Sequence, residues 1–316
     1  MNVSQIPKIE LHCHLDGIIS PGIVREIVID HPDYPVQVDD FAAYLPVTDY
    51  ESFVNWWQVS DLISGQLELY KPVLKQYLGQ LKAQNVHYLE LFVAAGELPS
   101  DVSAAIDAMQ AFREWVNQEE AGQIQVEFLV AINRARTPES IKNVTEITLA
   151  LYEKELVCGI AYAGPEKGHS VEKNHAMFAQ FHEAGIGIEI HAGEWVGAES
   201  VRDALKSGFP DRIGHGVNLF QDERLIEIFQ ERQIHIEFCP TSNVKTGSIN
   251  TIEAHPIHQA RAAGLNFGIS TDDPGPFECS MNSEYQLMVD TFGFTESDFQ
   301  RIYDNCLNAR FGKSRP

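Results

Sequence analysis

Residues 186–215 read IGIEIHAGEWVGAESVRDALKSGFPDRIGH. Ile186 to His191 is a short apolar run of strand type, Ala198 to Ser207 is an amphipathic helical stretch, and Arg212 to His215 opens a second short run. Strand, helix and strand in so short a span make a βαβ unit, whose two strands lie parallel. The alternation continues in both directions. Toward the C terminus, Ile234 to Phe238 and Leu265 to Ser270 read as strands, and helices are predicted over Asp222–Gln233 and Pro256–Ala263. Toward the N terminus the strand candidates are Val157 to Ala163, Val126 to Ile132, Val86 to Val93 and Lys8 to His12, with a helix over Glu172–Ala184. Helices finishing in HEAG and RAAG put glycine where a left-handed terminal residue is favoured. Eight such strands with helices between them predict an α/β fold, a closed (β/α)8 TIM barrel. No linker divides residues 1–316, which read as one domain.

Two segments exceed what the barrel needs. Ile18 to Asn85 is too long for one strand-to-helix connection and carries Phe53, Trp56, Trp57 and Tyr70. An insertion after a barrel strand sits at the mouth, so a helical lid over the pocket is expected. Ser280 to Pro316 reads as extra closing helices followed by a polar tail.

Composition narrows the function. Forty-five acidic against 23 basic residues give a formal charge of −22, which repels a phosphate backbone and argues against nucleic-acid binding. No run approaches the roughly 18 apolar residues of a membrane span, and Met1 to Glu10 lack the pattern of a signal peptide. Cys13, Cys158, Cys239, Cys279 and Cys306 are scattered without CxxC pairs, as expected of reduced thiols in the cytoplasm.

The chemistry-bearing residues fall at the C-terminal ends of the expected strands. His12-Cys13-His14 closes the first, and side chains two apart on a strand share a face, so both imidazoles can meet one ion. His191 ends the fifth in HAGE, His215 the sixth in RIGHG, and Asp272 and Asp273 the eighth in STDDP. A barrel brings these ends to one pocket. Three histidines and one carboxylate with an open position suit a catalytic Zn²⁺, which lowers the pKa of its water to about 7. Glu194, three residues after His191, reaches the same pocket without being a ligand and suits a proton shuttle. His215 is either a further ligand or a group steering the attacking water.

The set HCHLDG, HAGE, RIGHG, CPTSN and STDDP, in order from Ile6 to Pro274, resembles the adenosine and adenine deaminase family of metal-dependent hydrolases. The resemblance implies one Zn²⁺ per chain on His12, His14, His191 and Asp272, and hydrolysis of a 6-aminopurine at C6 to the 6-oxo product and ammonia. It implies that Glu194 protonates N1, that His215 assists the attacking hydroxide, that Asp272 also takes a proton from the attacking water, and that Asp273 hydrogen-bonds N7. Gly164 contacts N3 through its backbone. His14 borders the substrate, and Asp16, which is Glu in adenine-specific members, meets the ribose 5′-hydroxyl. The expected substrate is therefore adenosine or a close 6-aminopurine nucleoside, with free adenine or a 5′- or N6-modified adenosine as alternatives. Two positions depart from the adenosine pattern: Ala161 stands where the family has Asp in DLAGxE, and Phe92 where it has the basic residue of YxExR. Binuclear relatives bridge two metals with a modified lysine at the fourth strand, but Lys167 lies beyond Gly164 and Pro165. The CPTSN segment is expected to shape the floor near the metal, with Cys239 not a ligand. The PCxxC of small-domain deaminases is absent.

Overall fold

A computed structural model describes residues 1–120 and 123–312. Its eight strands are β1 (Lys8–His14), β2 (Val86–Ala94), β3 (Gln125–Asn133), β4 (Gly159–Ala163), β5 (Gly187–Ala192), β6 (Arg212–His215), β7 (His235–Phe238) and β8 (Phe267–Ile269). They pair in sequence order, every pair parallel. The ring closes just beyond β8. Cys13 bridges Asp272, the Asp272 N–H donates to the His12 carbonyl at 3.0 Å, and the His14 N–H donates to the Asp272 carbonyl at 2.9 Å. This is the expected (β/α)8 barrel. Parallel strands covered on both faces must be apolar almost throughout, and β2 and β3 are buried at nearly every position.

The helices form where caps and spacing dictate. They are α1 (Pro21–Asp30), α2 (Tyr50–Ser60), α3 (Leu67–Ala83), α4 (Val102–Glu120), α5 (Pro138–Glu153), α6 (His175–Ala184) and α7 (Ala198–Ser207). There follow α8 (Glu223–Arg232), α9 (Pro240–Lys245), α10 (Ile257–Ala263), α11 (Pro274–Phe277), α12 (Met281–Phe292) and α13 (Glu296–Ala309). Gly185 and Gly264 end α6 and α10 in the left-handed conformation, as HEAG and RAAG led us to expect. Asp222 caps α8 by accepting from the Arg224 N–H. Among the described residues no helix is long and apolar enough to cross a membrane.

Four expectations change. First, β1 runs two residues further than Lys8–His12, so His12 and His14 both lie on it. Second, β8 stops at Ile269, so Asp272 and Asp273 follow the strand rather than end it. Asp272 is held by the closing bridge with φ at +64°. Third, the segment after β1 is not all lid: α3 packs on β2 and α4 as an ordinary barrel helix, and Trp56 and Tyr70 are fully buried. The lid proper is α2, with Tyr50 packed on Trp195 and Phe53 on Phe277 at ring separations of 4.9 and 5.0 Å, while α1 packs on α3. Fourth, the tail after α13 is not simply polar. Phe311 packs against the apolar interior of the barrel and Gly312 is buried, while residues 313–316 lie outside the described residues.

The turn after β1 and helix α11 touch backbone to backbone. A Cβ on Gly275 would overlap the carbonyl of Ile19. Gly275→Ala is therefore expected to cost about 1–3 kcal/mol, read as a lower denaturation midpoint at unchanged denaturant slope.

Candidate active site

Alternation along β1 sets the site. Glu10, His12 and His14 share one face, and the closing bridge places Asp272 against them. His12 Nε2 and His14 Nε2 lie 3.2 and 3.3 Å from Asp272 Oδ1. His191 joins from β5, and one donor atom from each of His12, His14, His191 and Asp272 falls within 4.8 Å of the others. Among the described residues the buried His12 Nε2 has no hydrogen-bond partner of good geometry. Donors about 2.0–2.1 Å from a tetrahedral ion stand about 3.3–3.4 Å apart, so these separations fit a zinc ion. Gly214 on β6 leaves the necessary room, because a Cβ there would overlap Glu189 and stand 2.9 Å from His12 Cε1.

The rings are oriented by acids that sequence reasoning missed. His12 Nδ1 lies 2.7 Å from Glu237 Oε2, and His191 Nδ1 lies 3.0 Å from Glu189 Oε1, which turns each Nε2 toward the cluster. The readable signal was parity: Glu189 is two residues before His191 and so must share its inward face. Burial pushes Glu237 up, but Arg212 and His12 outweigh it and hold it down at about 2. Burial likewise opposes the charge on Asp272, yet the imidazoles of His12 and His14 keep it well below the usual carboxylate range. Ser242, from α9, donates to Asp272 Oδ2 at 2.6 Å.

Glu194 sits beyond β5, its pKa raised well above the ordinary value by burial and then by the charges of Asp272 and Glu166. Its backbone is fixed by Glu166, which accepts the N–H groups of Gly193, Glu194 and Trp195 at 3.1, 2.9 and 2.9 Å. His215 ends β6 with φ at +61°, and its Nε2 lies 3.7 Å from Glu194 Oε2. Asn243 Nδ2 lies 3.1 Å from His215 Nδ1, so Asn243 donates and the imidazole proton sits on Nε2, facing Glu194. Burial keeps His215 neutral. The CPTSN segment thus supplies Ser242 and Asn243 to the site's floor. Cys239 lies near His215 and Asp272 in a second group of potential donors, with burial raising its thiol pKa well above the ordinary value.

Asp16 and Asp273 complete the mouth. Both are raised by burial first, and Asp273 also by the charges of Asp272 and Asp16. Among the described residues each keeps one buried carboxylate oxygen without a hydrogen-bond partner. With His14 they bring their donor atoms within 4.8 Å of one another. Gly164, φ +92°, leaves β4 where a Cβ would stand 2.6 Å from Asn133 Oδ1. Lys167 is exposed in the loop beyond it. Phe92 and Ala161 meet in one apolar cluster with Leu129 and Ala131, and the Phe92 ring is 4.8 Å from that of His12. The two departures from the adenosine pattern thus lie in one apolar cluster, which holds no charge.

Comparison with known proteins identifies the family. The adenosine deaminase family model matches residues 7–314. An adenine deaminase of Sinorhizobium fredii is 31% identical over 98% of this chain and 95% of its own length. An aminodeoxyfutalosine deaminase of Streptomyces avermitilis is 30% identical over 99% and 90%. A crystal structure of an amidohydrolase from Burkholderia ambifaria with bound zinc superposes with a TM-score of 0.81 at 21% identity, covering 98% of this chain and 87% of that one. The chain belongs to the adenosine deaminase family.

Helix α9 is itself anchored by Glu284 of α12, whose buried carboxylate accepts the Thr241 N–H at 3.1 Å. Burial raises Glu284 from an ordinary 4.5 to about 7. A raised carboxyl stabilises the fold fully below its unfolded value and loses that contribution as pH rises through the folded one. Between pH 4.5 and 7 the wild type should lose up to about 3 kcal/mol relative to Glu284→Gln, measured by denaturant unfolding across that window.

Proposed function

We propose that this protein is a zinc-dependent aminohydrolase that converts adenosine, or a close 6-aminopurine nucleoside, to the 6-oxo product and ammonia. The observation that carries the reading is the juxtaposition of His12, His14, His191 and Asp272 with Glu194, which lies just beyond β5 with its Oε2 3.7 Å from His215 Nε2. His12, His14, His191 and Asp272 would hold the ion, which when bound supplies Lewis acidity that makes water a nucleophile near neutral pH.

The residues of the chain do the rest. Glu194 donates its proton to N1 of the purine, which makes C6 electrophilic, and Asp272, held ionised, accepts a proton from the attacking water. His215, with its proton on Nε2, orients that water. The C6–N bond breaks as the amino group leaves as ammonia with the proton taken up by Asp272, and the remaining proton on the C6 oxygen passes to Glu194, which restores it. Asp273, its carboxyl pKa raised by burial and by the charges of Asp272 and Asp16, hydrogen-bonds N7, and the Gly164 N–H meets N3. Asp16 has a buried, unpartnered oxygen at the mouth and is the candidate partner for the ribose 5′-hydroxyl.

A second reading, deamination of free adenine, is favoured by relatives named adenine deaminase that are 31% identical to this chain. The relative named for aminodeoxyfutalosine supports a modified nucleoside instead. Ammonia release and ultraviolet absorbance over adenine, adenosine, 2′-deoxyadenosine and 5′- or N6-modified adenosines decide among them. The expected result is turnover of a nucleoside well above adenine, and inactivity on the whole panel would overturn the reaction class.

Two variants test the roles. Glu194→Gln should lower kcat by about 10²–10⁴-fold with zinc content unchanged. Near-normal turnover would remove Glu194 from the mechanism. Asp16→Ala should raise KM for nucleosides while leaving the low activity on adenine unchanged, and an equal loss on both would refute the 5′-hydroxyl role.

A further inference from the structure

At the end of the barrel opposite the histidine cluster, the chain comes back after α13 and inserts Phe311 between the first residues of β4 and β5. A Cβ on Gly159 or Gly187 would collide with the ring, so these two glycines make its slot. The ring packs on the interior cluster of Phe92, Leu129, Ala131 and Ala161. Its face lies against the Arg212 guanidinium, whose Cζ is 3.6 Å from the ring centroid. The backbone is hooked in place as well. The Phe311 N–H donates to Glu90 Oε1 at 2.6 Å, the Gly312 N–H to the Tyr88 hydroxyl at 3.0 Å, and Arg212 Nη1 to the Ala309 carbonyl at 3.3 Å.

From Arg212 the contacts run up the barrel. Nη1 pairs with Glu90 Oε2 at 2.6 Å and Nε with Glu237 Oε1 at 2.6 Å. The other oxygen of Glu237 meets His12 Nδ1 at 2.7 Å. One buried guanidinium thus joins the tail to a ring of the histidine cluster through a single carboxylate. A buried arginine is held only while every side of it is compensated. Among the described residues its Nη2 has no hydrogen-bond partner, and the Phe311 face supplies the attraction that a further acceptor would otherwise give.

We propose that the segment Ala309–Gly312 is a positioning element for the metal site, acting through Phe311, Arg212 and Glu237 on the orientation of His12. The proposal rests on the reading of His12, His14, His191 and Asp272 as ligands. Phe311 touches no reacting atom, so it is a positioning residue. Removing its face leaves Arg212 open to water at the barrel floor and frees it to settle on Glu90 alone. Glu237 then loses its restraint and His12 its fixed ring angle.

The experiment is zinc affinity of the full-length protein, by competition with a chromophoric chelator, for wild type, Phe311→Leu and Phe311→Ala. Thermal unfolding of each metal-free protein is measured alongside. Wild type should bind one equivalent. Phe311→Leu keeps an apolar plug but loses the aromatic face, and should bind zinc about three- to tenfold more weakly, with Phe311→Ala about tenfold or more weaker. Affinity within about twofold of wild type in a folded Leu variant would overturn the proposal, whatever its unfolding temperature, because a plug that only stabilises the barrel leaves the metal constant alone. The Leu variant decides the matter if the Ala variant does not fold. Absence of stoichiometric zinc in wild type would instead overturn the ligand reading itself, and this inference with it.

Discussion

The two hydrogen bonds that join β1 to the segment after β8 fix the rest of the molecule. Once the Asp272 N–H reaches the His12 carbonyl and the His14 N–H reaches the Asp272 carbonyl, the Asp272 side chain has nowhere to go but between the two imidazoles. A slip of one residue in that pairing would turn both histidines out of the barrel, because strand side chains alternate. The closure is locked from below by Glu10, which accepts both the Thr271 N–H and the Thr271 hydroxyl. The positive φ of Asp272 is held by these partners, in a conformation that non-glycine residues adopt only when their surroundings over-determine it.

A second constraint follows from putting so many ionisable groups inside one barrel. Glu90, Glu237, Glu189 and Arg212 are all fully buried, and each is tolerable only if its charge is compensated or suppressed. Arg212 spans Glu90 and Glu237, while Glu189 is pushed up to about 8 by burial and by the charge of Glu237, against the pull of His12 and Arg212. The barrel interior is therefore a layered structure: an aromatic floor at Phe311, a charged middle, and the histidine cluster above it. The lid helix α2 reaches the top through Tyr50 on Trp195, next to Glu194, whose carboxyl pKa burial raises well above the usual range.

Much of this was legible in the sequence. All eight strands were readable because parallel barrel strands are short, apolar and punctuated by polar residues at the same end. The residues gathered at the mouth were readable because those ends converge. What escaped reading was long-range. Nothing in ESFVNWWQ tells a lid residue from a core residue, and Trp56 and Tyr70 proved to be core. Asp272 reads as the end of a strand because its geometry depends on Cys13, some 260 residues away in the chain. Glu237, Arg212 and Asn243 look like ordinary polar residues until the barrel turns them inward. Phe311, near a polar terminus, gives no local sign that it plugs the floor.

Zinc held by His12, His14, His191 and Asp272 can be seen by anomalous diffraction from crystals of zinc-loaded protein, collected on both sides of the zinc absorption edge. The expected result is a single edge-dependent peak per chain, bounded by those four side chains, with Glu194 close by but not ligating. A pair of peaks, or one peak centred on His215 and Cys239, would contradict it.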